Sequence, residues 1–141
     1  MDKVILWIED EKDQFRAFSN GVCRKYNVER AVDYSDALTK IAEKQYDMYV
    51  VDIILPSGEQ AITKEQVKEK LLRVEDIFYG IELIRHIRSI GLNQPILVVT
   101  VVTEQDKIAR IKEIDQSIGF VLKYYATPDD VKEAVDELLQ G

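Results

Sequence analysis

Four apolar runs in this chain each end in a residue able to do chemistry. Val4-Ile5-Leu6-Trp7-Ile8 runs into Glu9-Asp10-Glu11, Met48-Tyr49-Val50-Val51 into Asp52, Ile96-Leu97-Val98-Val99 into Thr100, and Phe120-Val121-Leu122 into Lys123. Continuous runs of this kind, without apolar-polar alternation, are the signature of strands covered on both faces. In an open parallel sheet the carboxyl ends of such strands border one crevice, where ligands bind. The chemistry of the set is therefore joint. Magnesium takes one or two carboxylates plus phosphate oxygens and water, and Asp10 and Asp52 supply two, with Glu9 adding charge through a water molecule. Clustered carboxylates repel one another and favour a cation between them. Beside such a cation the Asp52 carboxylate is a nucleophile toward phosphorus, a known kind of covalent intermediate. Lys123 balances phosphoryl charge and Thr100 offers a hydroxyl to a phosphoryl oxygen. Positioning and charge neutralisation do most of the work in such transfers.

The elements that must hold these groups alternate. Phe15, Phe18, Val22 and Tyr26 share one helix face. Val28 to Val32 reads as a second strand, and Ser35 as the cap of a helix carrying Leu38, Ile41 and Ala42 inward. Gly80 to Ile90 places Ile81, Ile84 and Ile87 inward and stops at Gly91. A helix over 104–117 turns Ile108, Ile111 and Ile114 to the core, with Thr103 as its cap. The last helix opens on Thr127-Pro128-Asp129-Asp130, a capping box with proline at the first helical position. Five strand-helix units predict a single α/β domain over 1–141, with a parallel sheet, right-handed crossovers and helices on both faces. Residues 57–79 exceed what such a connection needs. Thr63-Lys64-Glu65-Gln66 reads there as a capping box, followed by Val67, Leu71, Val74 and Phe78 on one face of an inserted helix.

Composition narrows the function classes. The chain has 141 residues, 46% hydrophobic, with 19 basic against 26 acidic side chains and a net charge of −7. Such acidity disfavours direct nucleic-acid binding and attachment to anionic membranes. No apolar run reaches the ~20 residues of a membrane span, and the N-terminus lacks the pattern of a signal peptide. The single cysteine, Cys23, excludes an internal disulfide framework and is expected to be buried and inert. His86, without a second histidine at metal spacing, reads as a surface residue. The expected location is the cytoplasm.

The acids at 9–11, Asp52 with Pro56 four residues on, Thr100 and Lys123, in that order at the ends of the first, third, fourth and fifth strands, resemble the receiver domain of two-component response regulators. The likeness is closest to stand-alone, chemotaxis-type regulators and spans nearly the whole chain apart from 57–79. It implies a flavodoxin-like (βα)5 fold with strand order 2-1-3-4-5. It implies that Asp52 accepts a phosphoryl group from a sensor histidine kinase or a histidine phosphotransfer protein. Magnesium, with manganese as a substitute, would be held by Asp10, Asp52 and the backbone carbonyl of Ile54. Thr100 and Phe120 would move together as the switch, although Phe120 reads equally well as a core aromatic. A downstream effector would meet Tyr124 and Tyr125, and Val67, Leu71 and Val74 of the insertion are a further candidate surface. No chemistry on an external metabolite is implied beyond the domain's own phosphorylation and dephosphorylation. With Gly141 directly after the fifth helix, output is expected to pass through a protein partner, unless the chain is part of a longer one.

Two residues depart from the pattern. Val101 stands where the family has a small residue, and Tyr124 where it has proline after the lysine. They support an alternative, a pseudo-receiver that binds partners without a phosphate switch. A flavin-binding electron carrier would share the fold class, but Glu9-Asp10-Glu11-Lys12-Asp13 would repel a flavin phosphate.

Overall fold

The computed structural model describes residues 2–58 and 77–140. Five parallel strands, β1 (Val4–Ile8), β2 (Asn27–Ala31), β3 (Met48–Val51), β4 (Ile96–Thr100) and β5 (Gly119–Leu122), lie in the order β2-β1-β3-β4-β5. Five described helices connect or follow them: α1 (Lys12–Cys23), α2 (Tyr34–Glu43), α3 (Tyr79–Ser89), α4 (Gln105–Ile114) and α5 (Pro128–Gln140). This is the predicted flavodoxin-like topology.

The apolar runs are continuous because each strand feeds two cores. Leu6, Ile8, Tyr49, Val51, Ile96 and Val98 point into one cluster with Ala37 and Ile41 of α2, Ile81, Ile84 and Ile87 of α3, and Ile111 of α4. Their alternates Ile5, Trp7, Met48, Val50, Leu97 and Val99 pack with Val22 and Tyr26, and with Val131 and Val135 of α5. Each fully buried side chain of this kind contributes about 1.5–3 kcal/mol. Register follows from this alternation, since a slip of one residue would exchange the two cores. Within it Trp7 stands opposite Arg30 on β2 and Val50 on β3.

Helix ends agree with the sequence in some places and correct it in others. Thr127 Oγ1 accepts the Asp130 N–H at 3.2 Å while Asp130 Oδ2 accepts the Thr127 N–H at 2.8 Å, so the capping box closes as expected. Gly91 takes φ +86 after α3. Ser35, however, lies inside α2. The cap is Asp33, whose Oδ1 accepts the Asp36 N–H at 2.7 Å, and Asp36 in turn accepts the Val32 N–H. Ala37, four residues before Ile41 on the same face, is buried in the core, and Ala42 is exposed. Helix α4 begins after Glu104 with no side-chain cap, so Thr103 does not serve, and the helix stops at Ile114. Tyr26 reaches its core from the turn after α1. Cys23 is exposed, because α1 turns the adjacent Val22 inward and carries Cys23 round to solvent. His86 is half-buried, and among the described residues no group of three or more His, Cys, Asp or Glu side chains is arranged for a metal ion. No described helix is long and apolar enough to cross a membrane.

The helix expected within 57–79, with Val67, Leu71 and Val74, falls on residues outside those described. Its described flanks are tied to the rim of the sheet. The Pro56 and Ser57 carbonyls accept the Tyr34 and Ser35 N–H groups, each at 3.0 Å, and so satisfy the free first turn of α2. On the return side Leu55 and Phe78 form a parallel bridge, Leu55 N–H donating to the Ile77 carbonyl at 2.8 Å.

The turn after α1 is joined to α5 by a charged cluster. Asp136 accepts the Tyr26 hydroxyl at 2.5 Å and the Lys25 and Lys132 ammoniums at 3.1 and 3.0 Å. Burial alone would raise the Asp136 pKa, but these three donors outweigh it and hold the carboxyl down at about 2. A depressed folded-state pKa stabilises at pH above the unfolded value of 3.8 and is lost as pH falls toward 2. Asp136→Ala is therefore expected to cost on the order of 2 kcal/mol at neutral pH. The difference should vanish below about pH 2, which denaturant titrations of both proteins across that range would measure.

Candidate phosphoryl-transfer site

Strands β1, β3, β4 and β5 are consecutive neighbours in the sheet, so their carboxyl ends form one rim. Along it Asp52, Thr100, Glu9 and Lys123 converge. Lys123 Nζ lies 3.0 Å from Asp52 Oδ2 and 2.5 Å from Glu9 Oε1. Thr100 Oγ1 donates to Asp52 Oδ1 at 2.8 Å, and the Ile54 N–H donates to the same oxygen at 3.1 Å. Thr100 is fully buried, Glu9 is 3% exposed and Asp52 6%. Backbone bonds fix the rim: Asp52 N–H donates to the Ile8 carbonyl at 3.2 Å and Lys123 N–H to the Thr100 carbonyl at 2.8 Å. The cleft over these groups is about 170 Å³, lined by Glu9, Asp10, Glu11, Gln14, Asp52, Ile54, Val101 and Lys123.

Two buried carboxylates share one ammonium here, and that ratio sets the electrostatics. Burial raises the Asp52 pKa and the Glu9 charge adds to it, against the lowering effect of Lys123 and of the Thr100 hydroxyl. For Lys123 burial favours the neutral amine, but Asp52 and Glu9 together overcome this and raise its pKa, so it is an ammonium at neutral pH. The local charge remains negative. Asp10 adds a third carboxylate at the exposed edge of the cleft.

The remaining residues singled out in the sequence lie outside the cleft lining. Phe120 is half-buried against the α2–α4 core, and the Lys112 ammonium lies 5.1 Å from its ring centroid. Tyr124 and Tyr125 are 75% and 82% exposed just beyond Lys123. The Lys123–Tyr124 peptide is trans. Three contributors were not singled out. Gln14 lines the cleft one helical turn after Asp10, a spacing that could have flagged it. Gly80 meets the Asp52 backbone through a contact across the insertion, and Arg30 meets the acidic loop through strand register. Neither is visible in local spacing.

No family model and no curated protein matches the sequence. Solved structures do match its fold. The chain is similar to a CheY-like response regulator receiver domain protein from Methanospirillum hungatei JF-1, with TM-score 0.74 and 19% identity over 98% of this chain and 94% of that one. It is similar also to a response regulator from Thermotoga maritima, with TM-score 0.72 and 19% identity over the whole of both chains. The chemotaxis protein CheY4 of Vibrio cholerae matches with TM-score 0.72 and 20% identity over 96% of this chain and 98% of that one. The chain thus has the receiver-domain fold, CheY-like and flavodoxin-like, over nearly its whole length.

Proposed function

We propose that this chain is a phosphoacceptor receiver domain of two-component signalling, taking a phosphoryl group on Asp52 and presenting a changed surface to a protein partner. The observation that carries the reading is the set of hydrogen-bond distances joining Asp52 to Thr100 and Lys123 at the ends of β3, β4 and β5. The donor is the phosphohistidine of a sensor kinase or of a histidine phosphotransfer protein. An Asp52 carboxylate oxygen forms the new P–O bond as the P–N bond breaks, and the imidazole leaves with the electron pair and takes up a proton. Lys123 then pairs with the phosphoryl oxygens, and the Thr100 hydroxyl turns from Asp52 to donate to one of them. The residues fit a divalent cation, because magnesium needs only one or two carboxylates. Asp10, Asp52 and the Ile54 carbonyl would hold it, magnesium by preference and manganese as a substitute, with Glu9 acting from behind. When bound it supplies charge neutralisation for the incoming group.

A phosphoryl group adds about −1.5 to −2 charges and three acceptor oxygens. Movement of Thr100 toward it leaves room for Phe120, and the surface bearing Tyr124 and Tyr125 changes with it. That surface is the one offered to an effector. The test is direct. With magnesium and acetyl phosphate the intact protein should gain the mass of one phosphoryl group, lost again on chelation of magnesium before phosphodonor addition. An unchanged mass, together with no spectral response to beryllofluoride, would sink the reading.

Two observations favour the second reading, a receiver-like interaction module. Both Asp52 oxygens are engaged, and Val101 lines the cleft. Under the phosphoacceptor reading Val101 crowds the incoming donor. Val101→Ala is then expected to speed phosphorylation by acetyl phosphate roughly fivefold, a barrier change of about 1 kcal/mol. Stopped-flow or time-resolved mass measurements would show it. An unaltered rate would remove Val101 as the obstacle.

A further inference from the structure

Arg30 has no part in the chemistry above, yet it donates two hydrogen bonds to backbone carbonyls of the acidic loop. Its Nε donates to the Glu9 carbonyl at 3.0 Å and its Nη2 to the Asp10 carbonyl at 2.9 Å. The guanidinium fork bridges two successive carbonyls from two different nitrogens, a pairing that a lysine cannot reproduce. Those carbonyls fix how the two side chains leave the backbone, Glu9 inward to Lys123 and Asp10 to the edge of the cleft. The loop is also pinned by the Glu9 N–H on the Ala31 carbonyl at 3.0 Å and by the Glu11 N–H on Glu9 Oε2 at 3.2 Å. The guanidinium itself is seated 5.5 Å from the Phe15 ring centroid, and Phe15 meets Trp7 edge-on at 6.0 Å.

We infer that Arg30 is a positioning residue for cation binding, holding the Glu9–Asp10 backbone so that the carboxylates converge on the cleft. The inference rests on the reading of that cleft as a divalent-cation site. Its sign separates it from plain electrostatics. A positive charge beside the cleft repels a second cation, so charge alone predicts that removing Arg30 tightens magnesium binding. A clamp predicts the reverse, since losing an outer contact that orients ligands weakens metal binding roughly tenfold or more.

The test uses the full chain as wild type, Arg30→Met and Arg30→Lys, with magnesium alone as the probe. Binding is followed by calorimetry and by the fluorescence of Trp7, the single tryptophan. Amide hydrogen exchange of the metal-free proteins reports on the loop, and thermal midpoints identify any variant that fails to fold. Both variants are expected to bind magnesium about tenfold more weakly, with lysine giving no rescue. Exchange at Glu9 and Glu11 should quicken while that at Leu55 and Tyr79 stays unchanged. Equal or tighter binding by Arg30→Met, or unaltered exchange at Glu9 and Glu11, overturns the clamp. A wild type that takes no magnesium overturns the cation site itself and this role with it, a result visible before any variant is compared.

Discussion

Asp52→Asn should raise the stability of the metal-free protein at neutral pH by about 1 kcal/mol while abolishing the acetyl phosphate mass gain. Removing one partner of a buried ion pair ordinarily costs about 3–5 kcal/mol, because an uncompensated charge stays behind. Here the balance runs the other way. Lys123 retains Glu9 at 2.5 Å, and the charge removed is the surplus one of two carboxylates on a single ammonium. Asparagine can still accept from the Thr100 hydroxyl and the Ile54 N–H through its carbonyl oxygen. Its amide nitrogen would face the ammonium, and this opposing contact keeps the gain modest.

The pH dependence follows from the raised Asp52 pKa. A carboxyl whose folded pKa lies above its unfolded value favours the fold at pH below the unfolded value, and this contribution is lost as pH rises through the folded pKa. The two proteins should therefore match in stability at about pH 4 and diverge as pH increases. Magnesium should close the gap from the other side, stabilising the wild type more than the variant by mass action. Urea titrations at acidic and neutral pH, with and without magnesium, would measure all of this. A variant less stable than wild type at neutral pH without magnesium would mean that the Asp52–Lys123 pair is net favourable, and the electrostatic account of the cleft would fail.

Much of this site was legible because its residues interrupt apolar runs. A carboxylate, a hydroxyl and an amine at strand ends are conspicuous against Val and Ile, and a parallel sheet leaves them only one rim to share. The pleat was harder to read. Glu9 and Asp10 are adjacent acids, and only the register of β1 decides that Glu9 turns inward to meet Lys123 directly while Asp10 stays at the exposed edge. The water-mediated role expected of Glu9 did not foresee that pairing. Cap placement failed at α2 for a related reason, because Asp33 and Ser35 are both good caps and the choice falls to which residue the Pro56–Ser57 backbone leaves free. Cys23 was misjudged by one position on a helical wheel. Contacts distant in sequence, such as Arg30 on the acidic loop, leave no local pattern at all.

Gly80 belongs to that last class and carries the second large effect. It sits in the first turn of α3, where alanine would ordinarily be preferred by roughly 1 kcal/mol. A Cβ added there would lie 2.0 Å from the Asp52 carbonyl oxygen and 2.7 Å from the Ile53 Cα, both backbone atoms that cannot swing aside. Gly80 N–H also donates to the Ile53 carbonyl at 3.2 Å, so α3 is held against the segment carrying Asp52. Relief requires α3 and residues 52–53 to part, and overpacking against rigid neighbours costs about 1–3 kcal/mol or more. Gly80→Ala is thus expected to lose about 3 kcal/mol of stability and to slow phosphorylation by displacing Asp52 and the Ile54 carbonyl from the cleft. Gly21→Ala is the matched control. It too lies in a helix, α1, but its added Cβ would meet only the Lys132 side chain, at 3.3 Å, which can move. That variant should be neutral or slightly stabilising, with an unchanged phosphorylation rate. If both substitutions proved equally mild in denaturant titrations, the close approach of α3 to the Asp52 backbone would not be a feature of the protein in solution.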